Sequence, residues 1–175
     1  HLNLPLQLTK VVSMQLSAIE FPNTMYPISK IFGNNFFKIK NDTDELVITI
    51  PDGRYDYLAL QNFINTTLLT TSFQHVQFVV DVVDVTANAS GSGRMIVSTS
   101  ETGTYFELDF LTDKNGNEDR QTPLPLKLGW MMGFREGQYL NNTSYIAEGL
   151  VDLNGPRYIY LVIDDFNNNV TDGFY

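Results

Sequence analysis

The sequence contains no cysteine, which excludes a disulfide framework, a thiolate metal site and a cysteine nucleophile. It also lacks any stretch of about 18 consecutive apolar residues, so no membrane-spanning helix is expected. Positive charge is scarce: 11 Lys and Arg stand against 20 Asp and Glu, giving a formal net charge of −9. The basic residues are scattered, and only Lys38 and Lys40 pair on one face, read as the solvated side of a strand. A chain that grips phosphates carries a basic face, so direct nucleic-acid binding is not expected. His1 to Lys10 lacks the charged-then-apolar order of a signal peptide. The start at His1 rather than Met fits a processed chain or a portion of a longer one. Two histidines, His1 and His75, have no neighbouring ligand or triad pattern, and no glycine-rich phosphate loop opens a helix.

What is plentiful is Phe, Tyr, Asn and Thr, a balance that favours strands and turns. Val12, Met14, Leu16 and Ala18 alternate with polar residues as one half-buried strand, stopped at Pro22. Phe36 to Lys40 and the alternation Leu46, Ile48, Ile50 predict two more, the latter closed by the Pro51-Asp52-Gly53 turn. Asp56 is an N-cap signal. Leu60, Phe63, Ile64, Thr67 and Leu68 follow at helical spacing, predicting one amphipathic helix over about residues 56–69, lying across a sheet edge or face. Further strands are expected over Phe78 to Val85, Arg94 to Thr99, Thr104 to Leu111 and Tyr145 to Val151. The unbroken run Tyr158 to Ile163 predicts a strand buried on both faces. The expected fold is mainly β: an antiparallel β-sandwich of the jelly-roll kind with one helix, as a single domain over 1–175. An α+β sheet with the helix on one face is the alternative.

Chemistry-bearing patterns are few. Asp113-Lys-Asn115-Gly-Asn117-Glu-Asp119 resembles the opening of a calcium loop. However, Glu118 stands where that loop needs glycine, and Leu124 where it needs a bidentate Glu. It reads as a solvated turn. Asp164 and Asp165 are adjacent, so on a strand they point to opposite faces. Glycosylation sequons begin at Asn41, Asn65, Asn88, Asn141, Asn142 and Asn169. Gly129 and Gly133 bracket Trp130, Met131 and Met132. They predict close backbone approach or positive φ at both ends, with Trp130, Met131, Met132 and Phe134 in the core. The expectation is no enzyme, no catalytic residue, no metal and no cofactor.

The joint order of several segments carries a resemblance. Glu20-Phe21-Pro22-Asn23-Thr24-Met25-Tyr26-Pro27-Ile28-Ser29 is followed by Gly33-Asn34-Asn35-Phe36-Phe37 and Ile48-Thr49-Ile50-Pro51-Asp52-Gly53-Arg54-Tyr55. Leu128-Gly129-Trp130-Met131-Met132-Gly133-Phe134-Arg135 and Gly155-Pro156-Arg157-Tyr158-Ile159-Tyr160-Leu161-Val162-Ile163-Asp164-Asp165-Phe166-Asn167 complete it. This order resembles the minor capsid proteins of nucleocytoplasmic large DNA viruses, the giant-virus group. The resemblance implies a cement protein of the virion, lying beneath or between the double-jelly-roll capsomers. Its partners would be the major capsid protein, other minor capsid proteins and copies of itself. Contact would run through the loops Thr86 to Gly93, Thr112 to Gln121 and Arg135 to Ser144, with Tyr139 and Tyr145 as exposed anchors. The competing class is a carbohydrate- or receptor-binding β-sandwich of a viral surface protein. A glycosidase would need two converging carboxylates.

Overall fold

A computed structural model describes residues 24–84 and 90–155, together with residues 10, 20 and 86. The expected strands Val12 to Ala18 and Tyr158 to Ile163 lie outside the described residues, as do Pro22, His1, the Asp164-Asp165 pair and the sequons at Asn88 and Asn169.

The described chain is mainly β, with two antiparallel sheets and little helix. The first sheet has the order β2–β1–β5–β6, from β1 (Phe36–Lys40), β2 (Glu45–Thr49), β5 (Phe106–Asp109) and β6 (Gln138–Asn142). The second has the order β3–β4–β7, from β3 (Val76–Val80), β4 (Met95–Thr99) and β7 (Ser144–Ile146). Helix α1 (Tyr57–Leu68) joins the first hairpin to the second sheet, and a one-turn helix α2 (Leu128–Met131) precedes β6.

Alternation decides which side chains face inward. Phe37, Ile39 and Ile48 from the first sheet meet Phe78, Val97 and Val76 from the second in one buried cluster. The Phe37 and Phe78 rings lie 5.6 Å apart across the two sheets. This is a sandwich-like α+β arrangement. Between β6 and β7 the chain passes from one sheet to the other. A cross-sheet aromatic series follows that corner: Phe110 stacks on Phe134 at 5.1 Å, Phe134 meets Tyr139 at 5.0 Å, Tyr139 meets Tyr145 at 5.5 Å, and Tyr145 meets Phe106 at 5.1 Å.

The helix forms where the sequence places it. Asp56 accepts a hydrogen bond from the Ala59 amide at 2.7 Å, and Leu60, Ile64 and Leu68 are buried. Its polar side chains close an edge of the second sheet. Asn65 Oδ1 accepts from the Phe78 amide and Asn65 Nδ2 donates to the Phe78 carbonyl, both at 2.8 Å. Gln61 Oε1 accepts from the Val80 amide at 2.9 Å. Two helical amides thus take the place of a further strand along β3, an edge that would otherwise be open to pairing with another chain. The Asn65 sequon is spent on this contact.

Two expectations are corrected. The run Arg135 to Ser144, expected to be a loop, contains β6. Its alternation is broken by a register shift opposite Phe106 to Leu108, with Asn141 at φ 52°, so its polar residues do not read as a strand. Lys38 and Lys40 do not face open solvent. Lys40 Nζ lies 2.7 Å from Glu107, and Lys38 Nζ donates to the Gly116 carbonyl at 2.9 Å, with Glu45 and Asp109 at 3.6 and 3.9 Å.

Candidate functional site

The feature most suggestive of function is an apolar hollow of about 440 Å³, walled by Pro27, Phe32, Leu126, Trp130 and Met131, with Asn34, Arg135 and Asp152 as its polar members. Three segments build most of it, and Asp152 and Gly155 complete the lining.

The first is the turn over residues 27–34. Ile28 pairs with Gly53 as an isolated bridge, which anchors the turn to the Pro51-Asp52-Gly53 corner. Asn34 is buried; its Oδ1 accepts from the Ser29 amide and its Nδ2 donates to the Pro27 carbonyl, both at 2.8 Å. Asp52 accepts from the Lys30 amide at 2.7 Å, and Ser29 Oγ accepts from the Ile31 amide at 3.1 Å. Gly33, at φ 66°, lets its amide return to the Lys30 carbonyl at 3.2 Å. So many bonds fix the backbone that the side chains at its tip are presented without freedom to retract. Those side chains are apolar: Ile31 is 90% exposed and Phe32 is also exposed.

The second segment is Leu128 to Arg135. Both glycines are required, as the sequence predicts. A Cβ on Gly129 would stand 2.5 Å from the Phe110 ring, and one on Gly133, at φ 97°, would stand 2.4 Å from the Gly149 carbonyl oxygen. The expectation that the bracketed residues are all core is met for Met132 and Phe134 and corrected for Trp130. Wedging Gly129 against Phe110 buries Leu128 and Met132 and turns Trp130 outward onto the hollow. The Arg135 guanidinium lies 4.2 Å from the centre of the Trp130 ring, a cation–π contact. Arg135 Nη1 also donates to the Trp130 and Phe134 carbonyls, both at 3.0 Å. The charge is held rigidly at the rim.

The third segment, Pro125 to Lys127, supplies the exposed Leu126 and, next to it, the buried Lys127. The Lys127 ammonium donates to the Thr112 carbonyl at 3.0 Å and pairs with Asp119. That pairing holds the Asp119 carboxyl well below the usual carboxylate range. Asp113 accepts from the Asn115 amide at 2.8 Å, the Asn117 amide at 2.9 Å and Asn117 Nδ2 at 3.1 Å. The Asn117 side-chain bond lowers its pKa first of all. The loop that resembles a calcium site therefore has its carboxylates engaged by protein donors, and Lys127 ties it down. Among the described residues no cluster of three His, Asp or Glu could hold a metal ion. His75 sits apart from the hollow, with Nδ1 3.9 Å from Glu101 and Nε2 buried without a partner among the described residues.

Tyr139 and Tyr145, expected as exposed anchors, are both buried. Tyr139 on β6 and Tyr145 on β7 point into the space between the sheets. The Tyr139 hydroxyl donates to Glu148 at 2.6 Å and accepts from the Arg135 and Glu136 amides, both at 3.1 Å. Burial, then the bond to Glu148, pushes its pKa up to about 12. Burial works to raise the Glu148 carboxyl, but the Tyr139 hydroxyl and the Arg135 amide outweigh it and leave it below its ordinary value. The Tyr145 hydroxyl donates to the Phe106 carbonyl at 2.6 Å.

Of the three expected contact loops, Thr86 to Gly93 lies partly outside the described residues. Thr112 to Gln121 is bound back onto Lys127 and Lys38, and Arg135 to Ser144 contributes a strand. Leu140 in the last of these is exposed, and further exposed apolar side chains gather at and beside the hollow, Ile31, Phe32, Leu126 and Trp130, which the sequence did not single out as contacts. The available signal was an Ile-Phe pair inside a Pro-, Gly- and Asn-rich turn.

No protein-family model, curated protein or solved structure matches the chain.

Proposed function

We propose that this protein is a structural component of a virus particle, a minor capsid protein of the kind found in nucleocytoplasmic large DNA viruses. In this reading it binds major capsid protein capsomers and cements an icosahedral shell. The proposal assigns it no catalytic residue and no cofactor, and locates it in the virion. Two things support it: the joint order of the sequence segments, and a mainly β fold of two antiparallel sheets. Jelly-roll topology is part of the proposal.

The observation that carries the interaction role is the exposed apolar turn Ile31-Phe32 beside the Trp130 hollow. Exposed apolar groups on a hydrogen-bonded scaffold give up little conformational freedom on docking, which is where preorganised surfaces gain affinity. The test is to fractionate particles from infected cells and follow this chain. It should co-sediment with the major capsid protein through a gradient and survive washes that strip loosely bound protein. Recovery in the soluble fraction alone would end the proposal.

A further inference from the structure

The Ile31-Phe32 turn and the hollow beside it form a protrusion next to a recess on one face of the molecule. We propose that this face is self-complementary and that its occupant is a second copy of the same chain, each copy seating Ile31 in the other's hollow about a two-fold axis. The inference rests on reading the patch as an interaction surface and names what covers it.

Three observations support that occupant. The first is shape. Ile31 stands almost wholly clear of the protein, and Phe32 next to it is already part of the wall of the hollow. A two-fold arrangement makes the same contact twice, since a residue that enters the partner's recess is matched by its symmetry mate. The second is area. Ile31, Phe32, Leu126 and Trp130 are each between about a third and nine-tenths exposed. At roughly 200 Å² for a large side chain, they offer on the order of 450 Å². That lies within the range of the largest apolar patch on a typical monomer, and is somewhat more than half of the ~800 Å² each partner buries in a standard interface. A polar rim supplies the remainder.

The third is charge. The chain carries −9, so two copies repel over most of their surface. At this face the hollow is lined by one charge of each sign, Arg135 and Asp152. It is a place where two acidic copies can meet without opposing like charges. Long-range repulsion between the copies then predicts a dimer that strengthens as salt is added, because screening removes the repulsion and leaves the apolar contact.

The experiment is sedimentation equilibrium on the full 175-residue chain from about 1 to 500 µM, the range that reads micromolar dissociation constants. Wild type should pass from monomer to dimer mass across this range, and the dimer should tighten between low and moderate salt. Ile31→Asp and Leu126→Asp each place two carboxylates in the dimer and should weaken it by about 100-fold or more, as loss of a central contact does. Both positions are exposed, so their thermal unfolding should match wild type, and a fall in dimerisation is then not a folding defect. Leu69→Asp, at the exposed end of α1, should leave the dimer intact. A wild type that stays monomeric throughout overturns the proposal and gives the face to a different occupant, with the virion assignment still judged by particle fractionation. Association that is indifferent to Ile31→Asp and Leu126→Asp overturns it equally.

Discussion

Replacing Asn65 with Ala tests the claim that helix α1 serves as the edge partner of β3. The side chain makes two hydrogen bonds of 2.8 Å to the backbone of Phe78. Each neutral bond is worth about 1 kcal/mol net, and a donor and acceptor left unpaired in a half-buried site add to that, so about 2 kcal/mol is lost. Alanine returns part of this, because Asn is a poorer helix former by about 0.6 kcal/mol. The net destabilisation is about 1.5 kcal/mol, or a fall in Tm of about 3–6 °C for a chain of this size. Asn62→Ala, on the exposed face of the same helix, supplies the control, since it collects the propensity gain alone and should be slightly more stable than wild type. Thermal unfolding followed by circular dichroism compares the two. Hydrogen exchange at the Phe78 amide should accelerate in Asn65→Ala and stay unchanged in Asn62→Ala. If Asn65→Ala unfolds at or above the temperature of Asn62→Ala, the edge-closing role is refuted.

Other parts of the structure give further expectations. Tyr139 ionises near pH 12 when folded against about 10 when unfolded. Its contribution to stability is therefore full below pH 10 and lost as pH rises toward 12. Burial raises Tyr55 and Tyr145 as well, so alkaline difference absorbance should show a late-titrating fraction that Tyr139→Phe diminishes, with the stability loss over that window flattened. Gly129→Ala should cost about 1–3 kcal/mol by overpacking against Phe110, read as a lower urea midpoint. Gly133→Ala should cost more, since its positive φ adds strain of about 1–2 kcal/mol. Lys127→Met removes the ammonium that holds the Thr112 carbonyl and Asp119. Limited proteolysis should then cut between residues 112 and 122 much faster than in wild type.

Strict periodicity made much of this fold legible in the sequence. Phe36 to Lys40, the Leu46-Ile48-Ile50 alternation and the helix after Asp56 stand where expected, because each has one buried face and a capping or turn residue at its boundary. β6 was hidden because a bulge at Asn141 breaks the alternation and because its inward residue is a tyrosine in a polar run. That same fact misplaced Tyr139 and Tyr145. Aromatic rings with a hydroxyl suit a surface anchor, but here Glu148 and the Phe106 carbonyl satisfy the hydroxyls while the rings are buried. The close approach at Gly129 and Gly133 is legible in the sequence, since two glycines bracket large apolar side chains. The consequence for Trp130 was not legible, since it depends on Phe110, far away in sequence. The apolar turn at Ile31 shows no period at all, and only the bonds from Asn34 and Asp52 reveal that it is rigid.

The central claim, that the chain is an architectural part of a capsid, is tested most directly by the density map of purified particles, fitted with this fold. The account predicts symmetry-related density for the two sheets beneath or between major capsomers, with the Ile31–Trp130 face buried against a neighbouring molecule. A particle map with no density that accepts the two sheets, from particles shown by mass spectrometry to lack the chain, would contradict it.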